Sequence, residues 1–371
     1  MPSKLVLDSL EVHNFRGLRD LRIKNLGRAN LIVGKNNVGK TTVLEALRLY
    51  SQPASADVLL ELLESRDELG ADSARMGSSR DFKPVPIENL FYGRNPTDNE
   101  ADSIRIGPVD SPDKTLSVRV KWPRKTTPFQ EEEYADPAHV ILSFQQGTIR
   151  LALLVANVSE LRQFRQLSGL GIRLLELHKI DSITIKSFFV SANSLDPFQI
   201  GRLWDSIALT KLEDDVIALM RIIAPDVERL SLVVWDESST VRIPVLKTKE
   251  FDQPIPLRSM GGGVNRLFGV ALALVNAKDG ILLVDEIENG IHYTAQLDLW
   301  RFIFQAAARL NVQVFATTHS YDCIKAFQQA SDESPEDGVL IRLARKNDQI
   351  LVGEFNEDEL EVVVEEQIEV R

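Results

Sequence analysis

The chain has 371 residues, 44% of them hydrophobic and 26% charged. This composition excludes wholesale disorder and allows either one elaborated α/β domain or a head with an inserted subdomain. No apolar stretch reaches the ~20 residues of a membrane-spanning helix, residues 1–15 lack a charged segment followed by an apolar block, and the lone Cys323 permits no intrachain disulfide. A cytoplasmic protein with no membrane partner is expected. The formal net charge of −11 runs against the basic footprint of a dedicated nucleic-acid binder, so DNA is a partner that needs proof.

In chain order, Leu5-Val6-Leu7 and Leu10-Glu11-Val12 read as strand, Asn14-Phe15-Arg16-Gly17 as a turn, and Leu21-Arg22-Ile23 as the return strand of a hairpin. Leu31-Ile32-Val33 is short and wholly apolar, as a strand buried on both faces requires. The helix after Thr41 places Val43, Leu47 and Tyr50 on one stripe. A second helix runs through residues 58–63, and the Ser, Gly, Asp, Arg and Pro of residues 64–99 read as a connection. Strand-like runs follow at 116–120, 139–142 and 183–190, with Pro123 and Pro128 as punctuation and Glu131-Glu132-Glu133 as a solvated turn. Residues 195–223 read as a helix with Leu203, Ile207, Leu212, Val216, Leu219 and Ile223 as its apolar contacts, and 231–235 with 241–245 as a hairpin around 236–240. Val264, Leu267, Phe268, Ala271, Leu274 and Val275 have helical spacing. Residues 281–284 form a buried strand, 294–310 a helix, and 312–317 and 339–343 further strands.

Strand–helix alternation at both ends of an irregular middle predicts one α/β head built from two sequence halves, 1–95 and 226–371. The β-rich and helical middle, 96–225, is expected to be a compact inserted lid, because no sustained heptads support a long coiled coil.

Gly34-Lys35-Asn36-Asn37-Val38-Gly39-Lys40-Thr41-Thr42 lies between the 31–33 strand and a helical pattern. This is a complete Walker A loop in its required strand–loop–helix context. Gly34 and Gly39 let the backbone curl so that its N–H groups point inward at an anion, and the following helix adds the positive end of its dipole. Lys40 would place a point charge on the β- and γ-phosphates of ATP, and the Thr41 hydroxyl would complete a Mg²⁺ shell. The expected nucleotide set is therefore Gly34, Asn36, Asn37, Gly39, Lys40, Thr41 and Thr42.

Ile281-Leu282-Leu283-Val284-Asp285-Glu286 delivers two carboxylates at the end of a buried strand, where α/β ligand sites form. Asp285 is expected in the metal shell and Glu286 as general base toward water. The alternative, an acidic strand end paired with a surface base, weakens downstream of a Walker A loop. Phe315-Ala316-Thr317-Thr318-His319-Ser320 ends a further strand with a histidine that can reach the γ-phosphate. Ser259 and the glycines from Gly261 to Gly263 precede a helix and could form another anion site, with a flexible loop as the alternative. His292 lies at a dimer seam or starts the next helix, while His13, His139 and His178 carry no constellation.

Together with the Asn14-Phe15-Arg16-Gly17 turn, Ser259-Met260-Gly261-Gly262-Gly263 and Asp285-Glu286-Ile287-Glu288-Asn289-Gly290-Ile291-His292, these motifs resemble the ATPase heads of OLD-type and RecF/SMC-like proteins. The resemblance covers roughly residues 1–60 and 220–371. It implies an ABC-type P-loop NTPase head with a mixed sheet, ATP and Mg²⁺ as cofactors, and a homodimer or higher homo-oligomer with nucleotide sandwiched between heads. Arg16 would lie near the phosphates, Asn36 would brace the loop, and Ser259 and Gly261 would act across the dimer. The signature departs from the Ser-Gly-Gly-Gln of transporters, and Gln145 and Gln146 come too late for a Q-loop. Only about fifty residues follow His319, too few for the Toprim nuclease domain of OLD-type proteins. The expectation is a regulatory ATPase of a prokaryotic defence or toxin-like system controlling a separate effector, with a DNA-repair ATPase of RecF/SMC type as the alternative.

Overall fold

The apolar run at 31–33 becomes the centre of strand β3 (Ala29–Gly34), which is buried at every position and lies inside a six-stranded sheet. A computed structural model describes residues 5–69, 85–121, 140–155, 184–234, 241–334, 338–347 and 349–356. Pro123, Pro128, the acidic run 131–133, His139, His178, the turn 236–240 and the acidic end 357–369 lie outside the described residues.

Two strands pair to open the chain, β1 (Leu10–Phe15) and β2 (Leu18–Ile23). They share an antiparallel sheet with β4 (Ile104–Gly107), β5 (Leu116–Lys121), β6 (Val140–Gln146) and β7 (Ile149–Val155), in the order β2-β1-β4-β5-β6-β7. Strands β4 to β7 thus extend the sheet of the N-terminal hairpin. Leu5-Val6-Leu7 is not a strand. The backbone N–H and C=O of Leu7 are satisfied by the buried side-chain amide of Gln313, at 3.0 and 2.7 Å, instead of by a neighbouring strand.

The central sheet has the order β15-β14-β3-β13-β12-β8, built from β8 (Ser187–Val190), β12 (Ile281–Val284), β13 (Gln313–Thr317), β14 (Gly338–Lys346) and β15 (Gln349–Phe355) around β3. All neighbours are parallel except β14 and β15, which makes the sheet mixed. The N-terminal strand β3 sits between two C-terminal strands, so the two ends of the chain form one sheet. A smaller sheet joins β9 (Val227–Val234), β10 (Arg242–Thr248) and β11 (Ile255–Pro256).

Side-chain alternation divides the central sheet between two cores. Ile32, Ile281, Leu283 and Phe315 face helix α1 (Lys40–Ser51) and the antiparallel sheet; helix α2 (Ala56–Glu64) packs in the same core. Leu31, Val33, Leu282, Val284, Val314 and Ala316 face the other way, into a core with five further helices among the described residues. These are α3 (Pro197–Asp205), α4 (Lys211–Met220), α5 (Gly262–Asn276), α6 (Tyr293–Leu310) and α7 (Tyr321–Asp332).

The single helix expected over 195–223 is two, α3 and α4. Leu209 takes a φ of 63° between them, and the Thr210 hydroxyl caps α4 by accepting from the Leu212 N–H. Apolar spacing runs through the break because Ile207 is buried there, which hides the break from periodicity. Among the described residues no helix is long and apolar enough to cross a membrane.

Phe315 is 1% exposed and fills the core between the two large sheets. Phe315→Ala is expected to cost about 3–5 kcal/mol, read as a lowered midpoint of denaturant unfolding.

Candidate nucleotide site

The loop from Gly34 to Lys40 joins the end of β3 to the start of α1, and its backbone has the curl expected of a phosphate cradle. Gly34 and Gly39 take φ values of 145° and 111°, and Asn37 takes 61°. A Cβ at Gly34 would stand 2.3 Å from the Leu343 carbonyl oxygen of neighbouring β14, so only glycine fits there. Asn36 is exposed and lines a recess of 300 Å³ with Gly34, Lys35, Thr318 and His319.

Lys40 is 6% exposed. Its Nζ donates to the carbonyls of Gly34 at 2.8 Å and Lys35 at 3.1 Å, and lies 3.3 Å from His319 Nδ1. Burial pushes the Lys40 ammonium below its ordinary pKa, while Asp285, Glu286 and Glu288 act in the opposite direction. On its other side, His319 Nε2 stands 3.7 Å from Glu286 Oε1. Lys40, His319 and Glu286 therefore follow one another across the mouth of the loop.

The Thr41 hydroxyl is 3.1 Å from both Asp285 carboxylate oxygens. Among the described residues no group of three or more His, Cys, Asp and Glu could hold a metal. One carboxylate beside one hydroxyl nevertheless suits Mg²⁺, which keeps several waters and takes phosphate oxygens as further ligands. Thr41 and Asp285 would hold that ion, and the glycine cradle with Lys40 would hold the phosphates.

Other expected residues lie apart from this cluster. Ser259 is in the short 3₁₀ turn Leu257–Met260 ahead of α5, and a Cβ added at Gly261 or Gly262 would meet nothing within 4 Å. His292 is the N-cap of α6, 2.9 Å from the Thr294 hydroxyl, with its ring 4.4 Å from that of Tyr293. Gln146 donates to the Lys114 carbonyl at 2.6 Å, within the antiparallel sheet. The Arg16 guanidinium is buried against Glu45 at 3.1 Å and Glu68 at 3.0 Å. It is Arg66 that reaches the loop, donating to the Thr42 hydroxyl at 3.1 Å and to both oxygens of Glu45 at 2.9 Å.

Three supporting residues were given no role by the motif reading. The fully buried Thr317 hydroxyl donates to Asp285 Oδ1 at 2.6 Å and accepts the Glu286 N–H at 2.8 Å. Glu288 accepts the His319 N–H at 2.9 Å. Arg266 reaches the backbone behind the acidic pair, and burial lowers its pKa to about 10 against the pull of Asp285, Glu288 and Glu286. Thr317 was visible as part of a motif but not as its hub. Nothing in the spacing of α5 singles out Arg266.

Thr317→Val keeps the shape of the side chain but leaves the half-buried Glu286 N–H without its partner. It is expected to lose about 1–3 kcal/mol of stability together with turnover, whereas Thr317→Ser restores both. Thermal melting and phosphate release measure the two effects.

Comparison with known proteins places the chain in a family. A family model described as "AAA domain, putative AbiEii toxin, Type IV TA system" matches residues 29–322. A Helicobacter pylori protein named ATP/GTP phosphatase is 21% identical over 356 residues, covering 88% of this chain and 89% of that protein. The uncharacterized protein MJECL10 of Methanocaldococcus jannaschii is 47% identical over 45 residues, 12% of this chain and 20% of its own length. Among solved structures, an Smc head bound to the C-terminal winged-helix domain of ScpA aligns with a TM-score of 0.50 at 13% identity, covering 95% of this chain and 98% of that one. That likeness is one of fold: an α/β head with a mixed sheet. The family match runs from β3 through the phosphate loop and the acidic strand end to α7, and on that span the chain belongs to the AAA-domain family of the putative AbiEii toxin, type IV TA system kind, and is an ATPase.

Proposed function

We propose that this ATPase is a nucleotide-gated switch in which two heads of the OLD and RecF/SMC-like type close on ATP·Mg²⁺, each nucleotide lying between Lys40 of one subunit and the Ser259–Gly261 loop of the other. The observation that carries this reading is the succession Lys40–His319–Glu286 at the mouth of the glycine-bracketed loop. Within one subunit Lys40 fixes the phosphates, Thr41 and Asp285 would hold the magnesium ion, and His319 lies within reach of the γ-phosphate. A water oxygen attacks the γ-phosphorus, the bond from that phosphorus to the β–γ bridging oxygen breaks, and the water proton passes to the Glu286 carboxylate. The magnesium ion supplies charge neutralisation on the phosphate oxygens.

Burying the nucleotide between heads makes their affinity depend on the γ-phosphate, so hydrolysis becomes a timed release. The family description, with its toxin–antitoxin context, supports a regulatory role in a prokaryotic defence or toxin-like system. The ScpA-bound Smc head offers an analogy for a separate protein partner. The net charge of −11 tells against a DNA clamp, the alternative.

Lys40→Ala is expected to abolish ATP binding, whereas Glu286→Gln binds ATP, releases phosphate only at a small residual rate and accumulates dimers, as measured by calorimetry, phosphate release and light scattering. Wild-type hydrolysis by Glu286→Gln would remove the base assignment. DNA binding that weakens steeply with salt would favour the repair reading over the defence one.

A further inference from the structure

Glu286 has a φ of 48°, a left-handed conformation that a residue with a Cβ keeps only where its surroundings hold it. Its N–H is taken by the Thr317 hydroxyl at 2.8 Å. Its carbonyl accepts from the Asn289 N–H at 3.0 Å, closing a local turn, and from the guanidinium of Arg266 at 3.1 Å. Arg266 also donates to the carbonyls of Asp285 and Ser191. One side chain, 3% exposed, therefore joins the ends of β12 and β8 and grips the acidic pair from behind.

The grip comes from the helix that begins at the exposed glycines. Arg266 lies one turn into α5. The same helix start touches the loop beyond Glu286 directly, since a Cβ at Gly263 would stand 2.2 Å from the Gly290 carbonyl oxygen. A displacement of the Ser259–Gly261 loop thus has two short routes to Glu286, a backbone contact and a charged side chain. The planar guanidinium spans carbonyls on two strand ends with separate N–H groups, which the point charge of a lysine cannot reproduce.

We propose that Arg266 is a positioning residue that aims the Glu286 carboxylate and transmits to it the seating of the Ser259–Gly261 loop. This inference rests on the reading of Glu286 as the base. A merely structural Arg266, covering strand-end carbonyls, would affect folding without acting through Glu286.

The test uses full-length wild type, Arg266→Met, Arg266→Lys, Glu286→Gln and the double variant Arg266→Met/Glu286→Gln. ATP affinity, thermal melting and single-turnover phosphate release at saturating ATP are measured for each. Arg266→Met should bind ATP as wild type does, yet release phosphate about a hundredfold more slowly, the loss expected for a group misplaced by roughly an ångström. Arg266→Lys should recover part of the rate, and Arg266→Met should add no further loss to Glu286→Gln. The proposal is overturned if Arg266→Met turns over bound ATP at the wild-type rate, or if its fractional loss persists in the Glu286→Gln background. If the methionine variant does not fold, Arg266→Lys decides: an unchanged rate overturns the proposal, and a slowed rate at wild-type affinity supports it. Wild-type hydrolysis by Glu286→Gln alone overturns the base reading and the proposal together, whereas an inactive Glu286→Gln beside a fully active Arg266→Met removes the proposal only.

Discussion

The parallel register of β3, β13 and β12 is the constraint on which the site depends. Ile32 pairs with Thr317, and Ala316 with Val284, so the three strands stop at nearly the same height. Adjacent strands are roughly 4.8 Å apart. Equal height therefore brings the phosphate loop, the Thr317-Thr318-His319 segment and the Asp285-Glu286 pair within reach of one another. A slip of one residue would turn every core side chain to the opposite face, and both faces are packed. Core packing thus specifies the site before any polar contact is made. The Thr317 hydroxyl then ties the strands together at the same point, bonded to Asp285 on one side and to the Glu286 backbone on the other.

The polar layer beneath the loop follows the same logic. Glu45 lies on α1, one turn behind Lys40 and Thr41, and burial raises its pKa while Arg16 and Arg66 lower it. An isolated charge there would be costly, and the two arginines make burial tolerable. Arg16 comes from the turn between β1 and β2, and Arg66 from the stretch after α2. The cluster thereby fastens two distant segments to the helix that carries the phosphate loop, and Arg66 extends it to the Thr42 hydroxyl. The resemblance placed Arg16 beside the phosphates; here its guanidinium is directed to this anchor beneath the loop.

Much of this arrangement was legible in the sequence, for a physical reason. A glycine-bracketed loop after an apolar strand, and two acids after another, each require a special local structure that leaves a local trace in residue type. Lys40, Thr41, Asp285, Glu286 and His319 were found that way. What was hidden depends on contacts between distant segments. Gln313 replaces a strand neighbour for Leu7 across a separation of 306 residues, so an apolar triplet that reads as strand is not one. The break between α3 and α4 leaves the apolar spacing intact because Ile207 stays buried. Arg266 sits in a helix whose pattern is governed by its apolar face, and its role exists only once β8 and β12 end beside it.

The exposure of His319 and Glu286 bears on how such a head could be regulated. The side chains of His319 and Glu286 are 38% and 40% exposed, so water screens their interaction with any charge that develops between them. Lys40, by contrast, is buried and paired with carbonyls from its own loop. On the proposed reading, grip on the phosphates would be complete within one subunit, whereas the electrostatics of bond breaking would gain strength only when something covers the mouth and excludes water. In a dimer that cover would be the glycine turn ahead of α5. The helix carrying that turn also holds the backbone of Glu286 through Arg266, so in the proposed dimer one rigid element would face both the neighbouring subunit and the base. On that reading binding and turnover would be separable: the first would be built on the rigid strand ends, and the second would wait on a surface that arrives from outside.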